Sequence, residues 1–115
     1  MHSTLDDFER ACIQLMVRGG LLESDVNGQL PFARVADRTH DRDGRHTRFH
    51  VEPGAPEIVP RDAALSADLV IAGVGTVTVD LDIVDGFMLM LWADYPPDGW
   101  PPDPHITGVA DYPEP

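Results

Sequence analysis

The sequence predicts an α+β domain, an N-terminal helix packed on one antiparallel sheet of about five strands, followed by a proline-rich C-terminal tail. Three observations lead there. The opening segment repeats apolar residues at helical spacing. Most of the remainder falls into short strand-like runs. The links between those runs are mostly tight turns, which favour antiparallel pairing over the long crossovers that parallel strands need. The chain has 115 residues, of which 43% are hydrophobic, enough for one compact core and too few for two. The domain is expected to span residues 1–109, with 110–115 as a frayed tail.

The helix comes from "STLDDFERACIQLMVRGG". Thr4 or Ser3 can cap it, and Asp6, Asp7 and Glu9 stand in the first turn, where the helix dipole favours anions. Leu5, Phe8, Cys12, Leu15 and Met16 form one apolar face. Arg18 occupies the last turn, and Gly19 and Gly20 end it. A helix over residues 4–18 follows. Cys12 is the single cysteine, so neither an internal disulfide nor a Cys-based zinc site can form. Its place on the apolar face makes it an inert core thiol.

Two strand-like runs, "LPFARVAD" and "RHTRFHVE", flank "RTHDRDGR", which reads as the longish loop of a hairpin. Pro31 assigns the first run to a sheet edge. "PGAPEIVPRD" is a proline-punctuated loop. "AALSADLV" reads as a short helical turn, with residues 69–72 extended and "AGVG" breaking or bulging that strand. The segment from Pro96 onward holds seven of the eleven prolines and reads as an extended wrap over the surface.

The last hairpin, residues 76–84 and 87–95, carries the clearest signal. Asp85 and Gly86 fit a two-residue turn. With that register Ile83 faces Met88, Leu81 faces Met90 and Val79 faces Trp92, all toward the core. Asp82 then faces Leu89, Asp80 faces Leu91 and Thr78 faces Ala93 on the other side. That second face carries Thr76, Thr78, Asp80 and Asp82 beside Phe87, Leu89, Leu91 and Tyr95. Burying the three large apolar side chains is worth about 1.5–3 kcal/mol each, so a cover is expected. The tail with Trp100, a second copy of the chain, and a partner protein are the three candidates. A bulge near Gly86 would shift the register by one and undo this face.

Charge narrows the function. The formal net charge is −12, and from residue 62 to the end there are ten Asp or Glu and no Lys or Arg. All eight bases are arginine, and Arg34, Arg38, Arg42, Arg45 and Arg48 fall within fifteen residues. Such an acidic half argues against nucleic acid as a ligand and suits a basic partner or simply solubility. The opening "MHSTLDDFER" carries no hydrophobic signal region, and no run of about 20 apolar residues exists to span a bilayer. The cytoplasm is the expected compartment.

Motifs for chemistry are few. "DLDIVDG" superficially resembles a calcium loop, but its third acid is displaced to Asp85 and the twelfth position is Leu91. His46 and His50 share a strand face yet stand too far apart along it to close on one ion, and His40 lies in the intervening loop. No metal, cofactor or catalytic residue is assigned. Neither a nucleophile elbow, a phosphate-cradling loop nor a dinucleotide fingerprint is present.

The N-terminal "STLDDFERACIQLMV" helix, the late "GTVTVDLDIVDGFMLMLWADYPPDG" hairpin and the proline-rich end together resemble small acidic bacterial immunity proteins of polymorphic-toxin and contact-dependent inhibition systems. The resemblance implies a non-enzymatic protein that binds and neutralises a toxin domain, often a basic one. The glutamate often seen in the last strand of such hairpins is replaced here by Met88 and Met90. An acidic rim beside apolar residues reaches a compatible reading from the residues themselves. The expected partner-binding residues are Asp80, Asp82, Asp85, Phe87, Leu89, Leu91, Asp94 and Tyr95. The alternatives are an accessory or structural subunit that forms a homodimer through the sheet face, and a small enzyme using the clustered aspartates.

Overall fold

The structure, a computed structural model, describes residues 3–41, 44–94, 100–101 and 103–110. Two helices, α1 (Asp7–Val17) and α2 (Glu23–Gln29), and a 3-10 turn (Leu30–Phe32) precede strand β1 (Ala33–Asp41). Strands β2 (Gly44–Val51), β3 (Ala63–Ile71), β4 (Gly75–Val84), β5 (Phe87–Asp94) and β6 (Ile106–Val109) follow. They form one six-stranded sheet in the order β1-β2-β5-β4-β3-β6, with every pairing antiparallel. The fold is therefore α+β as expected, with six strands instead of five, the extra one taken from the proline-rich end. Residues 111–115, most of the expected frayed tail, lie outside the described residues.

Helix α1 starts later than its hydroxyl residues suggested. Asp6, and not Ser3 or Thr4, is the N-cap, accepting from the Glu9 N–H while the Glu9 carboxylate accepts from the Asp6 N–H. This reciprocal capping box satisfies two donors at once. Ser3 instead exchanges two backbone hydrogen bonds with Val35 on the outer side of β1. Leu5, Phe8 and Cys12 are buried as predicted, but Ile13 and Val17 are buried with them, while Leu15 and Met16 are only partly so. The helix is rotated because its buried stripe includes Glu9, which is 0% exposed. A count of apolar residues has no place for it.

That glutamate ties the helix layer to the sheet. Its carboxylate takes a bidentate pair of bonds from Arg38 at 2.7 Å each and a third from the Thr47 hydroxyl at 2.8 Å. Arg45 donates to Asp6 at 2.7 Å, and its guanidinium lies 4.9 Å over the Phe8 ring. Burial pushes the Glu9 carboxyl up, but the bonds from Arg38, Asp6 and Thr47, with the Arg38 charge, outweigh it and hold its pKa below the usual 4.5. Cys12 is fully buried, and that burial raises its thiol to about 12, so it stays protonated.

Helix α2 has no counterpart in the sequence reading. Its "ESDVNGQ" contains weak helix formers, and tertiary contacts hold it. Val26 and Gln29 are buried. The Gln29 amide donates to the Pro56 and Gly86 carbonyls and accepts from the Met88 N–H, so the helix locks onto the turn between β4 and β5.

Three sheet expectations are corrected. "RTHDRDGR" is not a long loop, since β1 runs to Asp41 and β2 resumes at Gly44. "AALSAD" is not helical but the first part of β3, whose nine residues all pair with β4. The β4–β5 turn does have the Asp-Gly geometry, with φ 54° at Asp85 and 88° at Gly86, but one extra residue follows it. Val84 pairs with Phe87 and Ile83 with Met88, then the register shifts so that Asp82 pairs with Met90, Leu81 with Leu91, Asp80 with Trp92 and Val79 with Ala93.

Leu89 is that extra residue, and the bulge exchanges the two faces of the rest of β5. The core side receives Leu91 and Ala93, 3% and 2% exposed, above Val79, Leu81 and Ile83. Trp92, expected in the core, is 37% exposed on the other side, and Met90 goes with it. Near Ala93 the helix side already holds Arg45, its strand partner, with Phe8 beneath, which leaves room for a small residue and not for an indole. The helices cover one face only: the molecule measures 40 × 39 × 20 Å, and its thin dimension accommodates one sheet and one helix layer.

Candidate protein-binding face

The face opposite the helices, on which no other described element packs, is ordered in rows by strand pairing. One row reads Thr39, His46, Trp92, Asp80, Ser66 across five strands, and the next reads Asp37, Arg48, Met90, Asp82, Ala64. The His46 and Trp92 rings lie 4.1 Å apart at 31°, a cross-strand stack that props the indole on the surface. Met90 beside it is partly buried. These two side chains form the apolar centre of the face.

Charge is unequal about that centre. On the β1–β2 side, Arg48 is paired with Asp37, and Arg34 with Glu52 at 2.9 Å. On the β4–β3 side, Asp80, Asp82 and Asp68 form a cluster without a cation among the described residues, and Asp68 only accepts from the Thr78 hydroxyl at 2.6 Å. Asp94 is exposed opposite Gly44. The face thus carries surplus negative charge beside an aromatic and a thioether side chain.

The expected site residues divide accordingly. Asp80, Asp82 and Asp94 lie on the open side of the sheet. Phe87, half-buried, and Leu89, 42% exposed, sit at its turn end next to Val84, 44% exposed. Asp85 is in the turn itself, where its N–H donates to Asp62 and its carbonyl accepts from Arg61. Leu91 is a core residue and is removed from the site. Tyr95 lies outside the described residues. Trp92, Met90 and Asp68 were missed, the first two through the bulge and the third because β3 read as helical. The cover expected from Trp100 is not there, since its ring packs edge-on against Phe8, 5.3 Å away, on the helix side.

No group of three or more His, Cys, Asp or Glu side chains converges as a metal site among the described residues. No helix among them is long and apolar enough to cross a membrane. Comparison with family models, with curated proteins and with solved structures gives no match.

Proposed function

We propose that the protein is a non-catalytic, cytoplasmic binding protein of the immunity type, which neutralises a basic bacterial toxin domain by direct contact through the open sheet face. One observation carries the reading: Asp80 and Asp82, the strand partners of the exposed Trp92 and of Met90, and Asp68 on the next strand have no cationic partner among the described residues, on a face that no described helix covers. Aromatic and Met residues at the centre with charge at the rim are the composition of an interface. An acidic rim steers a basic partner in and disfavours acidic ones.

The test is surface plasmon resonance against the product of the adjacent gene at two salt concentrations. Association is expected to slow as salt rises, because screening removes steering beyond about 10 Å at 0.1 M. Asp80→Lys with Asp82→Lys lowers the on-rate, and Trp92→Ala raises the off-rate. Unchanged kinetics in all these variants would move the site elsewhere. A second reading, a homodimer through the same face, draws on its apolar centre, the exposed Trp92 with Met90 beside it. A two-fold axis lying between the copies and parallel to β5 would set that centre against its counterpart. Sedimentation of the free protein as a stable dimer, with no binding to any neighbouring product, would favour it.

A further inference from the structure

Among the described residues, strand β3 is paired along its whole length on one side but only at one end on the other. All nine of its residues pair with β4. On the outer side β6 meets Leu69, Val70 and Ile71, and the Ala110 N–H reaches the Asp68 carbonyl at 2.9 Å. Among the described residues nothing hydrogen-bonds to the outer edge of residues 63–67. Antiparallel strands turn the N–H and C=O of one residue to the same side, and the side alternates along the chain. The Asp68 carbonyl points outward and the β3–β4 register is unbroken. The N–H and C=O groups of Ala64 and Ser66 therefore point outward as well, without partners among the described residues.

The two sides of this edge differ. On the helix side it borders a hollow of about 310 Å³ lined chiefly by Met16, Val17, Leu21, Leu22, Pro60 and Leu65, and Leu21 is fully exposed there. On the open side residues 63–67 of β3 present only the small Ala64 and Ser66, and behind them in register stand Asp82 and Asp80. Neighbouring strands lie about 4.8 Å apart, so a strand added to the edge would be about 10 Å from β4. An arginine or lysine laid across an alanine or serine spans that gap.

We propose that the free edge of β3 is a β-augmentation site, where an extended segment of a protein partner adds as a seventh strand beside residues 63–67. The segment alternates aliphatic residues, which enter the hollow, with Lys or Arg residues, which cross Ala64 and Ser66 to Asp82 and Asp80. Backbone bonds supply the affinity and the alternating side chains the selectivity. The inference rests on the protein-binding reading above and names the element of the partner that docks. A second copy fits the edge poorly. Pairing β3 with itself about Leu65 sets Asp62 against Asp68 of the second copy, and the nine residues of β3 include no base.

The experiment uses a fluorescein-labelled synthetic octapeptide alternating valine and lysine, with two versions N-methylated at every second residue, one in each phase. The unmodified peptide is expected to bind, and to slow hydrogen exchange at the Ala64 and Ser66 amides by about tenfold or more. Methylation in one phase weakens binding by about tenfold, because it removes the amides that face β3. Asp80→Asn with Asp82→Asn weakens it about fivefold at low salt and flattens its salt dependence. Equal binding by all three peptides with no new protection at Ala64 and Ser66 would overturn the edge site. If Trp92→Ala then weakens the peptide, the open-face reading survives alone. Binding of the neighbouring gene product without any binding of the peptide would overturn it too. So would concentration-dependent dimerisation that protects the two amides in the free protein. Peptide binding at the edge without any binding by the gene product would instead uphold the edge and sink the toxin-binding reading.

Discussion

On the covered side of the sheet, Glu9 and Asp6 meet Arg38 and Arg45 among apolar side chains, whereas on the open side Asp80 and Asp82 meet no cation among the described residues. The residue types are the same and the consequences differ. A carboxylate out of water needs its partners to remain charged, and Glu9 accepts four hydrogen bonds. Asp80 and Asp82 are only half-buried, so water reaches them and their field stays available for a partner. The covered charges fix where the helix lies. The open ones leave a surface with nothing in the described chain to neutralise it.

Removing a covered charge is the harshest way to break that contrast. Glu9→Ala strips the bidentate partner from Arg38 and the acceptor from Thr47, and opens the capping box of α1. The expected loss is about 3–5 kcal/mol, the scale of a broken buried ion pair, read by urea denaturation. A loss below about 1 kcal/mol would mean that the network forms without holding the helix.

The bulge in β5 can be tested by two neighbouring residues. Leu91→Ala leaves a cavity in the core and is expected to cost about 2–5 kcal/mol. Trp92→Ala removes a partly exposed ring stacked on His46, and should cost about 1 kcal/mol or less, the scale of a cross-strand pair. Without the bulge the order of these two effects reverses, so their ratio in matched melting curves decides the register.

That bulge also marks where the sequence stopped being readable. The alternation through Val77, Val79, Leu81 and Ile83 meets polar neighbours at every second position, so the inner face of β4 was legible. "FMLMLW" is apolar at every position, and period two cannot place a residue in a run without polar punctuation. The Asp85-Gly86 turn was legible because only a few residues accept positive φ. Its extra residue was not, because nothing about Leu89 differs locally from Met88 or Met90. Helix α1 was found from its periodicity but rotated, since the partners that make Glu9 a core residue come from β1 and β2. Helix α2 and the true extent of β3 rest on contacts remote in sequence, such as those of Gln29 with Pro56 and Gly86. At the candidate site, the acidic half was legible from composition and from the position of Asp80 and Asp82 on β4. Its apolar centre required the register.

Acid sharpens the comparison from the covered side. The Glu9 pKa is lower in the folded protein than its ordinary 4.5, so the unfolded chain takes up the proton first. Its contribution to stability is complete above the ordinary value and is lost as pH falls through the folded one. Stability measured by urea unfolding at stepped pH is expected to fall below about pH 4.5, and to fall less steeply in Glu9→Gln, which has no proton to gain there. Parallel curves for the two proteins would show that other carboxylates govern acid unfolding.

The smallest stability effect is expected on the open side. Asp80→Lys with Asp82→Lys removes two carboxylates that have no ionic partner among the described residues, and lengthens side chains in a place where no helix packs. Each substitution adds two units of charge, so a net charge of −12 becomes −8. Less self-repulsion acts in the stabilising direction, while the two lysines lie beside each other on one strand face and repel locally. The balance should leave the unfolding free energy within about 0.5 kcal/mol of the unaltered protein. The same double variant should slow association with a basic partner, so one change separates folding from recognition. A loss of several kcal/mol would mean that these aspartates stabilise the chain itself, and the open face would then belong to the fold and not to a partner.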